Sequence, residues 1–239
     1  QMTNPQVKFA DSRPTMNLAA MHPSHPRGNP QKKSRSLILM ALGLLLAIAP
    51  AGAQDREATR STRASELASL CILPESYEMR PDVFVLIPGA KRIGLTLFRK
   101  SDDGLVPYTR EELRYSGITW YQCLLQGRKA ATEHLKTLKH EIKRDHRKII
   151  QYARFTSDSP LTASILLSPE LLKRFEDTLG KELYVTIPDR NNVFVFPKLS
   201  ESIKAVAPKM AHLYKEALYP VSREVFELSK DGIRVIGKF

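Results

Sequence analysis

Cysteine is scarce: the chain holds two, Cys71 and Cys123, and no C-x-x-C pair. That excludes dithiol redox catalysis and a cysteine-rich zinc site. No G-x-S-x-G elbow occurs, and no Ser/His/Asp set can be singled out. A glycine-rich loop able to cradle phosphates is also absent. Acids are outnumbered, 25 Asp and Glu against 37 Lys and Arg, which leaves a formal net charge of +12. Long apolar runs are missing too. The most extended, Leu37 to Ala49, has 13 residues, short of the ~20 that a bilayer-spanning helix needs.

That short run lies in a recognisable setting. Lys32, Lys33 and Arg35 precede it, and Ala51-Gly52-Ala53 follows it just before Gln54. A basic flank, a short apolar core and a small-residue site, in that order, read as a signal peptide over 32–53, cleaved between Ala53 and Gln54. Residues 1–31 are rich in Pro, Asn, His and Ser without apolar periodicity, and read as disordered or as a mis-called start. The expectation is an exported protein, periplasmic or extracellular, with a mature domain over 54–239. The first 53 residues carry six Lys or Arg and one Asp, so cleavage lowers the formal charge from +12 to +7. A basic exported surface suits anionic envelope polymers or lipid headgroups better than nucleic acid. In that compartment the even cysteine count permits a Cys71–Cys123 disulfide, although free buried thiols suit both apolar contexts equally.

Along 54–239 the pattern alternates between helix and strand. A short helix within Gln54 to Leu73 should end at Pro74. Val83, Val85 and Ile87, with Phe84 and Leu86 between them, read as an inner strand, followed by a second strand alternating at Ile93, Leu95 and Leu97. Ser101 to Gly104 is a turn. Thr109 and Glu112 form a capping-box pair, with Gly117 as the stop. Thr119 caps a helix from Trp120, whose stripe of Leu124, Ala131, Leu135, Leu138 and Ile142 carries it to somewhere near Arg144 to Arg147. A strand covers Lys148 to Phe155. Ser168, Pro169 and Gly180 bracket another helix. Two strands, "ELYVTIP" and "NVFVFP", precede an amphipathic helix from Ile203 to Ala217 that contains Pro208. A hairpin turning at Lys230-Asp231-Gly232 closes the chain. Connections this short favour an α+β domain, with amphipathic helices packed on a mainly antiparallel sheet.

Two polar features are candidate binding surfaces. Asp189, Arg190, Asn191 and Asn192 separate the two apolar strands, as a hairpin turn or as a polar rim. Lys136, Lys139, Lys143 and Arg147, with Arg144 and Lys148, would line the solvent face of the long helix. Glu141 and Asp145 would offset part of that charge. Aromatic residues are sparse there, which argues against stacking on single-stranded nucleic acid. His134, His140 and His146 recur every six residues. On one straight helix they would point about 120° apart, so they cannot share a metal ion. "HEIKR" lacks the second histidine of a zinc motif. The carboxylate pairs Asp102-Asp103 and Glu111-Glu112 have structural explanations in a turn and a helix N-terminus. No catalytic, metal or cofactor residue is assigned.

Three blocks carry a family likeness: "TREELRYSGIT" with the helix after it, "TASILLSPELLKRFEDTLGKELYVTIPDRNNVFVF", and "LYKEALYPVSREVFELSKDG". Their order and spacing resemble the YtpQ-like family, a domain of unknown function. The resemblance implies no activity. Members usually show a proline, two variable residues and then an acid leading into an apolar strand. Pro188 matches the proline, but Asn191 stands where the acid is usual. The resemblance thus favours a structural turn, in which Asn191 accepts a backbone hydrogen bond or adopts a left-handed conformation.

The sequence therefore leads to an expected non-catalytic binding module of the cell envelope with an anionic partner. The rival expectation is a hydrolase of an envelope polymer with an unrecognised site.

Overall fold

A computed structural model describes residues 51–198 and 200–239. The elements in chain order are α1 (Ala51–Ser69), β1 (Leu70–Ser76), a 3-10 turn (Tyr77–Met79), β2 (Phe84–Leu86), β3 (Ile93–Ser101), β4 (Gly104–Pro107), α2 (Arg110–Ser116) and α3 (Trp120–Thr137). They continue with β5 (His140–Arg144), β6 (Ile150–Thr156), a second 3-10 segment (Thr162–Leu167), α4 (Pro169–Leu179), β7 (Leu183–Asp189), β8 (Asn192–Pro197), α5 (Ser202–Glu216), β9 (Glu224–Ser229) and β10 (Gly232–Lys238). The architecture is α+β. Its strands form two antiparallel sheets rather than one: β1-β3-β2 with β4 also on β3, and β10-β9-β7-β8-β6-β5.

Three apolar clusters hold the layers together. The largest lies between the two sheets and under α4, and includes Leu73, Phe155, Phe175, Val185, Val195 and Phe226. A second joins the outer face of β1 and β3 to α3, through Leu70, Ile72, Leu97, Cys123 and Ala131. The third seats α5 on the opposite face of the large sheet, with Met210 against Phe194 and Phe196. Strands β7 and β8 are buried along nearly their whole length. That explains why both read as apolar on each face.

The helix caps stand as the sequence implies. Thr109 and Glu112 make a reciprocal capping box on α2, and Gly117 ends it with φ 62°. These hydrogen bonds from Thr109, backbone first, hold the Glu112 carboxyl below its usual pKa. Thr119 and Gln122 cap α3 in the same way. Ser168 caps α4, with Pro169 in its first turn and Gly180 after its end. Pro208 sits inside α5.

Three expected elements differ. The segment around Cys71 is strand, not helix. Alternate residues of β1 feed two cores, Leu70 and Ile72 one and Cys71 and Leu73 the other, which only a period of two allows. Pro74 is tolerated inside it because β1 pairs on one side alone, with β3. The predicted inner strand at Val83 to Ile87 is a three-residue edge strand with Val85 and Leu86 exposed. The helix from Trp120 stops at Thr137, well before Arg144. His140–Arg144 instead pairs with β6 as the outer strand of the large sheet. Ile142, counted in the helical stripe, is 40% exposed.

The signal-peptide reading and the disordered start, 1–31, fall on residues outside those described. Ala51, Gly52, Ala53 and Gln54 open α1. Among the described residues no helix is long and apolar enough to cross a membrane.

Candidate functional site

The polar turn between β7 and β8 is folded inward. Arg190 is 8% exposed and its Nε donates to Glu75 Oε1 at 2.6 Å, while Glu75 on β1 is 2% exposed. The guanidinium lies 5.0 Å from the Phe98 ring centroid and 4.6 Å from that of Tyr219. A planar, weakly hydrated cation is suited to such a slot. Burial raises the Glu75 pKa above its usual value, and the Arg190 hydrogen bond and charge oppose that rise. The pair bolts the smaller sheet to the hairpin of the larger one.

Asp189 closes the turn. Its Oδ1 accepts the Asn191 N–H at 2.8 Å, and both carboxylate oxygens accept from Asn192 Nδ2 at 2.9 Å. Asn192 Oδ1 in turn accepts from Arg154 Nη2 at 2.6 Å and from Thr156 Oγ1 at 3.2 Å. Asn191 Nδ2 donates to the Ser157 carbonyl at 2.7 Å. The backbone is tied as well, Arg190 N–H to the Tyr219 carbonyl and Ala163 N–H to the Arg190 carbonyl. Asn191 is not among the described residues with positive φ. The Asp189 side chain, rather than a left-handed residue, makes the reversal. Asp189, Arg190 and Asn191 therefore form a structural knot, not a rim open to a ligand.

The basic residues divide differently. Lys136 lies at the end of α3 and pairs with Glu133 at 2.8 Å. Lys139 is in the link to β5, Lys143 is on β5, and Arg147 is in the β5–β6 turn. They do not share a helix face, because the helix has ended. Lys139, Lys143, Arg144, Arg147 and Lys148 are all exposed. None of these five makes an ion pair with a described acid within 4.0 Å. Glu141, expected to pair with Arg144 and Lys148, is exposed and makes no ion pair with them, and Asp145 is occupied with the turn itself. Its Oδ1 accepts the N–H groups of Arg147 at 2.8 Å and Ile149 at 2.9 Å. Lys148 takes φ 64° to close the turn. Two exposed aliphatics stand among the cations, Ile142 at 40% and Ile149 at 57%.

The three histidines are distributed over α3, β5 and the β5–β6 turn. Among the described residues no group of three His, Cys, Asp or Glu could hold a metal ion. His140 packs edge-on to Phe175, with ring centroids 5.0 Å apart, and lies 5.4 Å from Phe155. His134 Nε2 is buried without a hydrogen-bond partner among the described residues. Burial first, then the charges of Lys100 at His134 and Arg174 at His140, lower both pKa values. The unfolded chain therefore binds more protons than the folded one below the ordinary value of about 6.5. Stability should be full above that value and fall as pH drops through it, by at most ~1.4 kcal/mol per pH unit for each histidine. Urea unfolding from pH 7.5 down to 5.5 checks this. His140→Gln should flatten the profile relative to the native chain, and an unchanged slope would contradict the assignment.

Cys71 and Cys123 are free buried thiols, not a disulfide. They belong to different cores: Cys71, on β1, enters the inter-sheet core, and Cys123, on α3, packs with Leu70 and Ile72 on the other face of β1. The backbone of β1 stands between them. Burial pushes both thiols up to about 11, so neither is a thiolate near neutral pH. Tyr108, buried and donating to Glu66, is pushed up to about 12, chiefly by desolvation.

Sequence reasoning missed the partners of the turn. Glu75 lies 115 residues from Arg190, and no local pattern links them. No family model, curated protein or solved structure matches the chain.

Proposed function

We propose that this chain is an exported, non-catalytic binding module of the cell envelope, and that its β5–β6 hairpin engages an anionic partner. One observation carries the reading. Five exposed cations cluster on the β5–β6 hairpin and the link into it, against one exposed acid, Glu141, while the turn acid Asp145 is spent on backbone N–H groups. Unpaired charge on the edge of a sheet attracts polyanions and anionic surfaces. The exposed Ile142 and Ile149 beside those cations favour a lipid surface over a soluble polymer, since short aliphatic side chains gain by entering the headgroup boundary. The likeness to the YtpQ-like family belongs to this reading and brings no activity with it.

The test compares the chain as its own cells make it with Lys139→Gln/Lys143→Gln/Arg147→Gln, on vesicles with and without anionic phospholipid. Each basic residue near an anionic surface contributes about 1 kcal/mol. The triple variant should therefore bind anionic vesicles roughly 100-fold more weakly, with no change on neutral vesicles. Equal binding by both proteins would sink the hairpin assignment. Binding to a soluble polyanion such as dextran sulfate, with none to anionic vesicles, would replace lipid by polymer as the partner.

A further inference from the structure

The first turns of α3 expose large side chains that the fold leaves uncovered. Tyr121 is 67% exposed and Leu125 48%. They lie one helical turn apart, and Arg128 and Lys129, both exposed, continue the same stripe. The other side of α3 buries Cys123, Gly127, Ala131 and Leu135. Gly127 sits so close to Ile72 of β1 that an added Cβ would stand 3.0 Å from it, which fixes the helix against the smaller sheet. One flank belongs to α1, where Arg63 Nη2 donates to Gln122 Oε1 at 3.5 Å and Gln126 Nε2 to the Ala68 carbonyl at 3.4 Å. Farther along, Thr132 meets Ser168 at the start of α4. Tyr121, Leu125, Arg128 and Lys129 are what these contacts leave open.

The open stripe carries cations and no acid. From Thr119 to Thr132 the sequence holds neither Asp nor Glu, and Arg128 and Lys129 make no ion pair with any described acid. The next acid, Glu133, is taken by Lys136 at 2.8 Å. Just before α3, Tyr115 is 74% exposed and has Arg114 over its ring, 4.9 Å from the centroid. Exposed tyrosine and leucine with cations beside them are the composition of helices that lie in a membrane interface. A convex ridge of this kind offers no groove to a partner helix. A second copy would set unpaired cations against cations.

We propose that this face of α3 lies in the headgroup boundary of an anionic membrane. Tyr121 and Leu125 enter between the headgroups, and Arg128 and Lys129 meet their phosphates. The inference rests on the lipid reading of the β5–β6 hairpin and adds a second contact to it, since α3 leads through Leu138 and Lys139 directly into β5. The two contacts differ in kind. The hairpin attracts mainly by charge, which salt screens. The α3 face adds apolar burial, which salt does not screen.

The chain has a single tryptophan, Trp120, in the first turn of α3 next to Tyr121, and its fluorescence tests the proposal. Vesicles of phosphatidylcholine and phosphatidylglycerol, brominated near the headgroup, should quench Trp120 in the bound protein, and the same lipids without bromine should not. Tyr121→Gln/Leu125→Gln should bind these vesicles roughly tenfold more weakly and lose the quenching, while the thermal unfolding transition of the free protein stays in place. Leu218→Gln, at a side chain 82% exposed beyond the end of α5, should change nothing. The hairpin triple variant, bound to the same vesicles at low salt, should still be quenched. Vesicle binding without quenching of Trp120, or binding unaffected by Tyr121→Gln/Leu125→Gln, overturns this proposal and leaves the hairpin reading standing. No binding to vesicles overturns both. A dimer in solution that the double variant dissociates would give the face to a second copy. A Trp120 response to polyglutamate, with none to vesicles, would give it to an acidic protein. Either result overturns the membrane assignment.

Discussion

Glu75→Leu should destabilise the protein by about 3–5 kcal/mol, because it strands the Arg190 guanidinium in a buried slot. Arg190 cannot give up its proton, and Phe98 and Tyr219 close on it from two sides. For a chain of this size that loss corresponds to a fall of roughly 10 °C or more in Tm. Arg190→Met should cost less. Glu75 left alone can take up a proton, and burial already raises its pKa. The folded state of that variant binds more protons than the unfolded one between the ordinary and the raised pKa. Its stability should therefore fall as pH rises through that window and level off above it. The double variant Glu75→Leu/Arg190→Met should recover most of the loss, since a well-packed apolar replacement of a buried pair is often neutral. Urea unfolding of the four proteins completes a double-mutant cycle. A Glu75→Leu cost below about 1 kcal/mol, or strict additivity, would show that the pair is not coupled in this way.

The second large effect is expected at Gly89→Ala. Gly89 adopts φ +79°, and a Cβ there would stand 2.5 Å from the Val235 carbonyl oxygen. The obstacle is backbone, so no rotamer change relieves it. The close approach is fixed by its neighbour, since Val235 N–H donates to the Pro88 carbonyl at 2.8 Å. That contact joins the β2–β3 connection to β10, the outer strand of the other sheet. Strain from the dihedral and the clash together should cost about 3 kcal/mol or more. Gly104→Ala provides the comparison. Gly104 also has positive φ, but nothing lies within 4 Å of its added Cβ. Its cost should come from the dihedral alone, about 1–3 kcal/mol, and stay below that of Gly89→Ala. Equal costs at the two positions, read from denaturant midpoints, would show that the contact with β10 does not matter.

These positions also mark what could be read from the residues alone. Caps are local, so Thr109 with Glu112, Thr119 and Ser168 were legible, as were the turns at Ser101 to Gly104 and Lys230-Asp231. Continuous apolar runs identified β7 and β8, because a strand buried on both faces leaves no polar alternation. The end of α3 was not legible. Leu138 and Ile142 continue a helical spacing by coincidence, and the pairing of β5 with β6 overrode it. Cys71 misled for a related reason: two cores sharing one strand look like a featureless apolar stretch. The position of the polar turn between β7 and β8 was legible; what closes it was not. Asn191 does not supply left-handed geometry; Asp189 supplies hydrogen bonds. The pairing of Glu75 with Arg190 depends on segments far apart in sequence, which no local pattern encodes.

The most direct test of the anionic-partner account is the salt dependence of binding to anionic vesicles, measured on the chain as its cells make it. Contact through Lys139, Lys143, Arg144, Arg147 and Lys148 predicts affinity that falls steeply as ionic strength rises from about 0.01 M to 0.15 M, where the screening length shrinks from roughly 30 to 8 Å. The triple hairpin variant should lose most of that slope. Affinity that is flat with salt, or a slope identical in the variant, would contradict the account.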